Sequence, residues 1–488
     1  MRPQNWRPIT PTLIVFVALL SMLLNTGALA QWSPPMRISN DLACFNPQIM
    51  YSGEVLHLIY GSGLNRAFYQ RSTDNGQTWT DPFRIDQGAG GTSAKPAMAA
   101  RGDTVVAAWY HTLQVGHNIG FRQSTNGGAG WNAVSFVLAS DYLNLQKLSL
   151  TISDRNVFLV FTYADDSIRF CLTRSTDLGA SWSIPNEMFR VQSSEGMNLL
   201  NRGDTLLLLW SAVYSWQDLM ELYFCRSTDG GTSWSDIALL STDDDHGSQN
   251  PSLSLNDQGR LAAFWTDGKY SPYAWTGDVF VRCSDDLGVS WTDEVALTDD
   301  HLAIFPCALW EGDSIHLTWE DYSQDPGNIS YMYSSNNGLT WEQREAVDDT
   351  SADSMNPGLA LTPGRVHIVW DERRSSEQGV FYSYRLEEPD GVEMEGSGFW
   401  PEQISLQSYP NPFNSNTIIA YSSLKGGEIA IFDIKGQLVR TFFTGGENEG
   451  RIRWDATDAM GNKVSSGIYF ARASASQDSQ TIKLLYLK

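Results

Sequence analysis

The chain has 488 residues, a formal net charge of −23 and an aromatic content of 12%. A chain of this length has room for two or three domains and a large buried core. Because an acidic surface repels phosphate groups, the charge argues against nucleic-acid partners and against anionic membrane surfaces. The abundant aromatic residues and the scarcity of lysine argue against a disordered chain.

The beginning of the chain has the pattern of a secretory signal peptide. Arg2 and Arg7 precede an apolar run at 13–24, and the sequence A-L-A at 28–30 offers a cleavage site between small residues. The run is too short and wrongly flanked for a membrane-spanning helix, and no later stretch is long and apolar enough. We therefore expect residues 1–30 to be removed and the mature chain to be exported without a transmembrane segment.

The octet STDNGQTW at 72–79 is the first of six similar copies. Their tryptophans are 52, 51, 52, 57 and 50 residues apart, a regular period that is typical of stacked repeating units. The third residue of each copy is acidic or its amide: Asp74, Asn126, Asp177, Asp229, Asp286 and Asn336. Since asparagine keeps the acceptor oxygen but loses the charge, the pattern predicts a structural turn rather than six catalytic groups.

The repeats predict an all-β protein. Each period contains four short runs rich in β-branched and aromatic residues, separated by turn residues, as in antiparallel strands joined by hairpins. The second-strand pattern occurs seven times, whereas the seventh repeat ends at 380–385 without a fourth strand. The segment QWSPPMRIS at 31–39 is similar to the fourth-strand segment TWTDPFRID at 78–86. We therefore predict a seven-bladed β-propeller over residues 31–387, its ring closed by the mature N-terminal strand.

The six octets resemble the Asp-box, or BNR, repeats of the sialidase superfamily. The resemblance covers residues 31–387 and implies a propeller fold. It does not imply one activity, because the same repeats occur in propellers with different functions.

The C-terminal part of the chain has a different pattern. Residues 388–403 are acidic and contain glycine and proline, which predicts a linker, and residues 404–488 read as the strands of a small Ig-like β-sandwich. YPNPFN at 409–414 and WDATDAMGNKVSSGIYF at 454–470 resemble the C-terminal sorting domain of type IX secretion substrates. The resemblance implies that the type IX secretion machinery is a partner and that the protein is secreted or displayed on the outer-membrane surface.

The predicted topology separates two ends of the blades. All Asp boxes lie in hairpins at one end, so we expect a ligand at the other end, where irregular loops carry aromatic and charged residues suited to sugars. The candidate ligand-binding residues are Arg66, Arg169, Trp216, Asp267, Tyr270, Trp275, Glu320, Tyr322, Asp371, Arg373 and Arg374. Acidic loops such as 242–250 offer oxygen ligands for Ca²⁺, but no loop has a recognised ligand spacing, so we expect no cofactor.

Three functions stay open on this evidence. A sialidase-type site requires an arginine cluster, a tyrosine nucleophile paired with a glutamate, and an aspartate. The early R-I-P motif of that family is replaced by R-I-S at 37–39, and a similar R-I-D at 84–86 indicates a strand position rather than a site. We therefore favour a glycan- or protein-binding protein without catalysis and assign no catalytic residue. The alternatives are an exo-acting glycoside hydrolase, sialidase-type or acting on another polysaccharide, and a structural surface component.

Overall fold

The computed structural model of this chain is all-β. The residues that it describes are 32–39, 43–112, 116–138, 144–215, 217–271, 273, 276–348, 352–373, 378–386, 405–409, 413, 416–422, 427–444, 450–475 and 478–487. Over these ranges the chain forms strands and turns and no helix, so none of the described residues form a helix able to span a membrane. The chain divides into two compact units, residues 1–390 and residues 391–488. The proposed signal peptide and linker lie outside the described residues.

The described part of the first unit contains seven four-stranded antiparallel sheets, numbered 1 to 7 in chain order. Sheets 1 to 4 consist of Cys44–Ser52, Val55–Ser62, Arg66–Ser72 and Phe83–Arg84; Thr92–Arg101, Thr104–Thr112, His117–Ser124 and Ser135–Phe136; Leu145–Ser153, Asn156–Ala164, Ile168–Ser175 and Asn186–Val191; and Ser193–Arg202, Thr205–Val213, Glu221–Ser227 and Ala238–Leu239. Sheets 5 to 7 consist of Ser248–Leu255, Leu261–Asp267, Asp278–Ser284 and Val295–Ala296; Ala303–Glu311, Ser314–Asp321, Asn328–Ser334 and Glu345–Ala346; and Asp353–Thr362, Arg365–Arg373, Gln378–Leu386 and Met36–Arg37.

The fourth strand of sheet 7 comes from the beginning of the described chain. Met36 pairs with Tyr382 and Arg37 pairs with Phe381. Further hydrogen bonds between the two segments flank this pairing on both sides. The N-terminal segment therefore covers an edge of the third strand that would otherwise be unpaired.

Each octet closes the hairpin between the third and fourth strands with the same kind of hydrogen bonds. In sheet 4 the Ser227 hydroxyl accepts the Gly231 N–H at 2.9 Å and donates to Asp229 Oδ1 at 2.8 Å. The Asp229 carboxylate accepts the Ser233 N–H at 2.8 Å and the Ser233 hydroxyl at 2.6 Å, and these bonds lower the pKa of Asp229 to about 2. Asn126 accepts the equivalent backbone bond at 2.9 Å, so the role needs an oxygen acceptor and no charge.

The glycine and tryptophan of the octet pack against the preceding sheet. The Trp131 ring lies 4.9 Å from the Tyr69 ring, edge to face, and a Cβ on Gly128 would fall 1.8 Å from the Tyr69 hydroxyl oxygen. The first octet makes the same contact with sheet 7, where the rings of Trp79 and Tyr382 are 5.4 Å apart. The equivalent pairs elsewhere are Trp182–Phe121, Trp291–Phe224 and Trp341–Phe264. Each of these octets thus joins its own sheet to the one before it.

The first strand of every sheet in the first unit carries a β-bulge near its beginning. In sheets 1, 2, 5, 6 and 7 the bulge is an X-Pro pair whose first residue has φ between +48° and +55°. In sheets 3 and 4 a single extra residue forms the bulge. We call the seven residues the bulge residues: Asn46, Lys95, Gln146, Glu195, Asn250, Phe305 and Asn356. A bulge residue is released from the strand pairing, and its side chain is re-aimed.

The second unit contains two antiparallel sheets in its described part. One consists of Ser405–Tyr409, Thr417–Ser422 and Gly450–Trp454, and the other of Leu438–Phe443, Glu428–Asp433, Gly467–Ala475 and Asp478–Tyr486. Trp454 from the first sheet and Tyr469 from the second belong to one buried apolar cluster. The two sheets therefore share a core, as the layers of a sandwich do.

We expect Ser227→Ala to lower the free energy of unfolding by about 1–3 kcal/mol, because the variant leaves the buried Gly231 N–H without its acceptor. Urea denaturation of the two variants and the wild type measures the effect. The exposed Asp236 lies in the same hairpin, and Asp236→Ala serves as the control, with an expected change within about 0.5 kcal/mol. Equal stability of the two variants would contradict the structural role of the octet.

Candidate functional site

An open cavity of about 510 Å³ lies among the first strands of sheets 2 to 6. Its lining residues are Lys95, Asn144, Leu145, Gln146, Lys147, Ser194, Glu195, Asn250 and Phe305, five of which are bulge residues. The beginnings of the first strands lie at the end of the sheets opposite the Asp boxes, because each first strand runs from there towards the hairpin that joins it to the second. We call this space the bulge cavity; its volume is within the range of about 300–1,000 Å³ usual for small-molecule sites.

The bulge cavity combines cationic, acidic, amide and aromatic side chains. Burial lowers the pKa of Lys147, the charge of Lys95 lowers it further, and the charge of Glu195 opposes both effects. The Lys95 ammonium donates to the Gln146 carbonyl oxygen at 3.4 Å. Phe305 is 41% exposed. The cavity can therefore offer donors, acceptors and an apolar face to the same ligand.

A second group of polar residues, which we call the acid cluster, joins sheets 6, 7 and 1. Glu320 accepts the Asn356 backbone N–H at 2.6 Å through Oε1 and the Tyr322 hydroxyl at 3.1 Å through Oε2. Asp371 Oδ1 accepts the Asn356 side-chain amide at 2.8 Å and the Asn46 backbone N–H at 3.0 Å. Two bulge residues thus hold the two carboxyl groups close together.

Burial gives the two carboxyl groups of the acid cluster higher pKa values than ordinary carboxyl groups have. It raises the pKa of Glu320 to about 8 and that of Asp371 to about 6, while the positive charge of Arg373 acts in the opposite direction on both. Both carboxyl groups therefore keep their protons to a higher pH than ordinary carboxylates do, Glu320 more so than Asp371. Two acids with separated pKa values suit proton transfer. However, Glu320 is 0% exposed and Asp371 is 1% exposed, so neither meets solvent directly.

Three of the predicted acids lie in strands and are buried. Asp267, like Glu320 and Asp371, is buried at the end of a second strand, where it accepts the Ser248 hydroxyl at 2.9 Å and the Trp265 indole N–H at 3.2 Å. These acids are buried because protein donors replace the water that would otherwise solvate them. Their first role is therefore to satisfy the protein's own donors.

The predicted arginines do not form a cluster in the described residues. Arg169 is paired with Asp165 at 2.5 Å and with Glu187 at 3.1 Å. Arg66 is half-buried at the beginning of the third strand of sheet 1, and Arg373 is exposed at the end of the second strand of sheet 7. The candidates Trp216, Trp275 and Arg374 lie outside the described residues. The arrangement brings Glu320, Tyr322, Asp371 and Arg373 together and leaves the other described candidates apart.

Tyr270 remains exposed, beside a histidine that the sequence did not single out. The His301 Nδ1 lies 2.6 Å from Asp278 Oδ2, and the His301 backbone N–H donates to the other oxygen at 3.0 Å. The carboxylate fixes the imidazole 6.0 Å from the Tyr270 ring. The Tyr270 and His301 rings lie on the connections that follow the second and fourth strands of sheet 5.

Sequence reasoning also missed the lining of the bulge cavity. Lys95, Lys147, Glu195 and Phe305 lie in strands of the repeat, whereas the sequence pattern places the candidate ligand-binding residues in irregular loops. One signal could have found them: residues 31–387 contain only three lysines, and two of these line the cavity.

No metal site is evident in the described ranges, where no three His, Cys, Asp or Glu side chains come together as ligands. The five cysteines are free thiols. The thiols of Cys171 and Cys225 are buried, and burial raises the pKa of the Cys171 thiol to about 12. They therefore behave as small apolar core residues.

The family comparisons agree with the two sequence resemblances. The BNR repeat-like domain matches residues 17–263, half of the chain, and the chain belongs to this family. The secretion system C-terminal sorting domain matches residues 407–487, which indicates handling by the type IX secretion system. Both resemblances are thereby confirmed. A comparison with curated proteins finds no match.

Three solved structures are similar to this chain at low sequence identity. An ulvan lyase bound to -[GlcA(1-4)Rha3S]- is 14% identical over 73% of this chain and 96% of its own, with a TM-score of 0.51. A protein of unknown function from Dyadobacter fermentans is 15% identical over 73% and 99%, with a TM-score of 0.47. An α-L-arabinanase from Penicillium chrysogenum complexed with arabinobiose is 13% identical over 60% and 93%, with a TM-score of 0.46. At 14% identity the likeness to the ulvan lyase concerns the fold alone.

We expect Glu320→Gln to change the pH dependence of stability. The folded-state pKa of Glu320, about 8, is above its ordinary value of 4.5. The protonated carboxyl therefore stabilises the folded wild-type chain at low pH, and this stabilisation is lost as the pH rises from 4.5 through 8. Glutamine does not ionise, and the stability of the variant relative to the wild type should therefore rise between pH 5 and pH 8. The rise in relative stability is at most about 1.4 kcal/mol for each unit by which the folded-state pKa of Glu320 exceeds the ordinary value.

Urea denaturation at pH 5, 6.5 and 8 measures this relative stability. The exposed Glu342 provides the control, because Glu342→Gln makes the same side-chain change outside the acid cluster. A constant offset between Glu320→Gln and the wild type across this pH range would contradict the raised pKa of Glu320.

Proposed function

We propose that the first unit is a glycan-binding module without catalytic activity, exported to the cell surface or the medium by way of the sorting domain. The observation that carries this proposal is the bulge cavity, where five sheets contribute side chains to one open space at the end opposite the Asp boxes. Concave sites of this size with a few convergent polar groups are typical of ligand binding.

The lining of the bulge cavity suits a sugar. The exposed ring of Phe305 offers an apolar surface to the C–H face of a pyranose or furanose. The Asn250 and Asn144 amides and the Glu195 carboxylate supply donors and acceptors for hydroxyl groups. The shared fold of a lyase that was solved with a bound oligosaccharide supports the same class of ligand.

The acid cluster supports binding rather than chemistry. Its two carboxyl groups accept hydrogen bonds from Asn356, and both are enclosed by protein. A general acid must come within hydrogen-bond distance of the leaving-group oxygen that it protonates, and a substrate can bring that oxygen close only if the acid is accessible from solvent. The hydrogen bonds of the acid cluster join sheets 6, 7 and 1, and this structural role is sufficient to explain why its residues lie together.

One observation favours glycoside hydrolysis as a second candidate. The Tyr322 hydroxyl donates to Glu320 at 3.1 Å, and the pKa values of Glu320 and Asp371 are raised to different extents. A tyrosine–glutamate pair beside a second carboxylate is the arrangement that sialidases use. This function would require the acid cluster to open towards the bulge cavity or the solvent.

Glycan-array binding by the full mature chain tests the proposal. We expect retention of a defined set of oligosaccharides, and a loss of affinity of about 10-fold for Phe305→Ala because the variant removes a stacking face. Phe136 has a similar exposure of 42% but lies in a fourth strand away from the cavity, so Phe136→Ala is the matched control. The absence of retention for every glycan would contradict the proposal and favour a structural surface component.

Product analysis on the same oligosaccharides separates binding from hydrolysis. Retention without product is the expected result. Cleavage that disappears in Glu320→Gln, with binding preserved, would instead establish the hydrolase.

For the fold, we propose that the seven sheets are the blades of a β-propeller closed by the N-terminal strand. Two contacts between sheets 1 and 7 support closure: the packing of Trp79 on Tyr382 and the hydrogen bond from the Asn46 backbone to Asp371. Residues of both sheets also share a buried apolar cluster.

We expect deletion of residues 31–39 to lower the unfolding temperature by about 5 °C or more, since it exposes the third strand of sheet 7 and the apolar cluster below it. Deletion of residues 391–403 is the control, and calorimetry compares the two. An unchanged unfolding temperature after the first deletion would contradict closure by this strand.

A further inference from the structure

Lysine is distributed unevenly in the first unit. Residues 31–387 contain Lys95, Lys147 and Lys269 as their only lysines. Lys95 and Lys147 line the bulge cavity from neighbouring sheets. Lys269 instead bridges Asp244 at 3.1 Å and Glu294 at 3.2 Å. In a chain with a net charge of −23, two of these three ammonium groups are therefore placed in one cavity.

The backbone at Lys95 indicates that this side chain is present for its own properties. Lys95 has φ of +48°, a left-handed conformation that costs a lysine of the order of 1 kcal/mol or more. The same position is asparagine in sheets 1, 5 and 7, at Asn46, Asn250 and Asn356, and asparagine tolerates this conformation well. Packing of the bulge therefore does not require lysine in sheet 2.

The two cavity lysines are close enough to act on one another. The charge of Lys95 lowers the pKa of the half-buried Lys147, in addition to the effect of burial. Among the described residues neither ammonium group has an ion pair like those of Lys269, and the Glu195 charge only partly offsets the repulsion. An anion bound between the two lysines would relieve this repulsion and restore lost solvation.

The acidic surface around the cavity does not cancel this local field. At physiological salt the Debye length is about 8 Å, so surface carboxylates further away are largely screened from a ligand inside the cavity. A densely charged polyanion would still meet repulsion outside the cavity. A sugar with one anionic group, and hydroxyls elsewhere, meets both the lysine pair and the neutral lining.

We propose that the bulge cavity selects glycans that carry an anionic substituent, a uronate carboxylate or a sulfate ester, and that Lys95 and Lys147 bind this group. The inference rests on the proposed function of the cavity as a glycan site and adds the class of ligand. Phe305 then faces the sugar ring, and Glu195 and Asn250 accept or donate to its hydroxyl groups.

The experiment compares neutral, uronate-bearing and sulfated oligosaccharides on the full mature chain. We expect retention of anionic glycans and a loss of affinity of at least about 10-fold in Lys95→Asn and in Lys147→Gln. Lys95→Asn introduces the residue that three other sheets have at this position, so its folding should be preserved. Lys269→Gln is the matched control, because it removes the third lysine and leaves the cavity intact.

A pH series distinguishes a uronate carboxylate from a sulfate ester, and a salt series tests whether the binding is electrostatic. Retention of uronates should fall as the pH is lowered through their carboxyl pKa, whereas retention of sulfate esters should persist. Both should weaken as the salt concentration rises. Either result, with sensitivity to Lys95→Asn, supports the inference.

Two outcomes overturn the inference in distinguishable ways. Retention of neutral glycans alone, or of anionic glycans with equal affinity in all three lysine variants, would refute the role of the lysine pair and leave the glycan-binding function in place. No retention of any glycan would refute the proposed function itself.

Discussion

The contact between an Asp box and the preceding sheet is the constraint on which the first unit depends. A four-stranded sheet has two faces and cannot bury them alone, so each sheet needs a neighbour. The octet supplies this contact in one hairpin: in four copies the tryptophan packs edge to face on an aromatic ring of the preceding sheet, and the glycine leaves room for that ring. At Gly128 and Gly76 the tyrosine hydroxyls of Tyr69 and Tyr382 occupy the space that a Cβ would need. Because the same hairpin recurs, neighbouring sheets meet in similar ways at that end.

At the end of the sheets opposite the Asp boxes, the side chains can vary because β-bulges in the first strands, rather than Asp boxes, shape the backbone there. Each first strand bulges near its beginning, and the bulge releases one side chain from the regular alternation. The backbone N–H groups of Asn46 and Asn356 donate to Asp371 and Glu320, and the Asn356 side-chain amide donates to Asp371 as well. Lys95 and Phe305, at corresponding positions, line an open cavity instead. The same kind of β-bulge therefore produces both the buried hydrogen bonds between sheets and the site where we propose ligand binding.

Loop irregularity was a partial guide to the candidate site. It selected Glu320, Tyr322, Asp371 and Arg373, which do lie together, because all four lie at or directly after the ends of second strands in neighbouring sheets. It did not reveal that Glu320 and Asp371 are enclosed, since enclosure depends on donors from Asn356 and Asn46, which are distant in the sequence. It also missed Glu195, which is a bulge residue, and Lys147, which follows the bulge residue Gln146, because a bulge looks like any strand position until the register of pairing is known.

The sequence by itself determined the repeat, the strand order within each repeat, the Asp-box turns and the sorting domain, because each depends on residues close together in the chain. A turn needs a glycine and an acceptor within a few positions, and a hairpin needs adjacent strands of alternating pattern. Only the tertiary structure decided which side chains share one environment. Lys95 and Lys147 come from successive sheets, and their pKa coupling arises only because the first strands of those sheets converge on the same cavity. Burial, and with it the ionisation of Glu320 and Asp371, is likewise a property of the packed sheets rather than of any one segment.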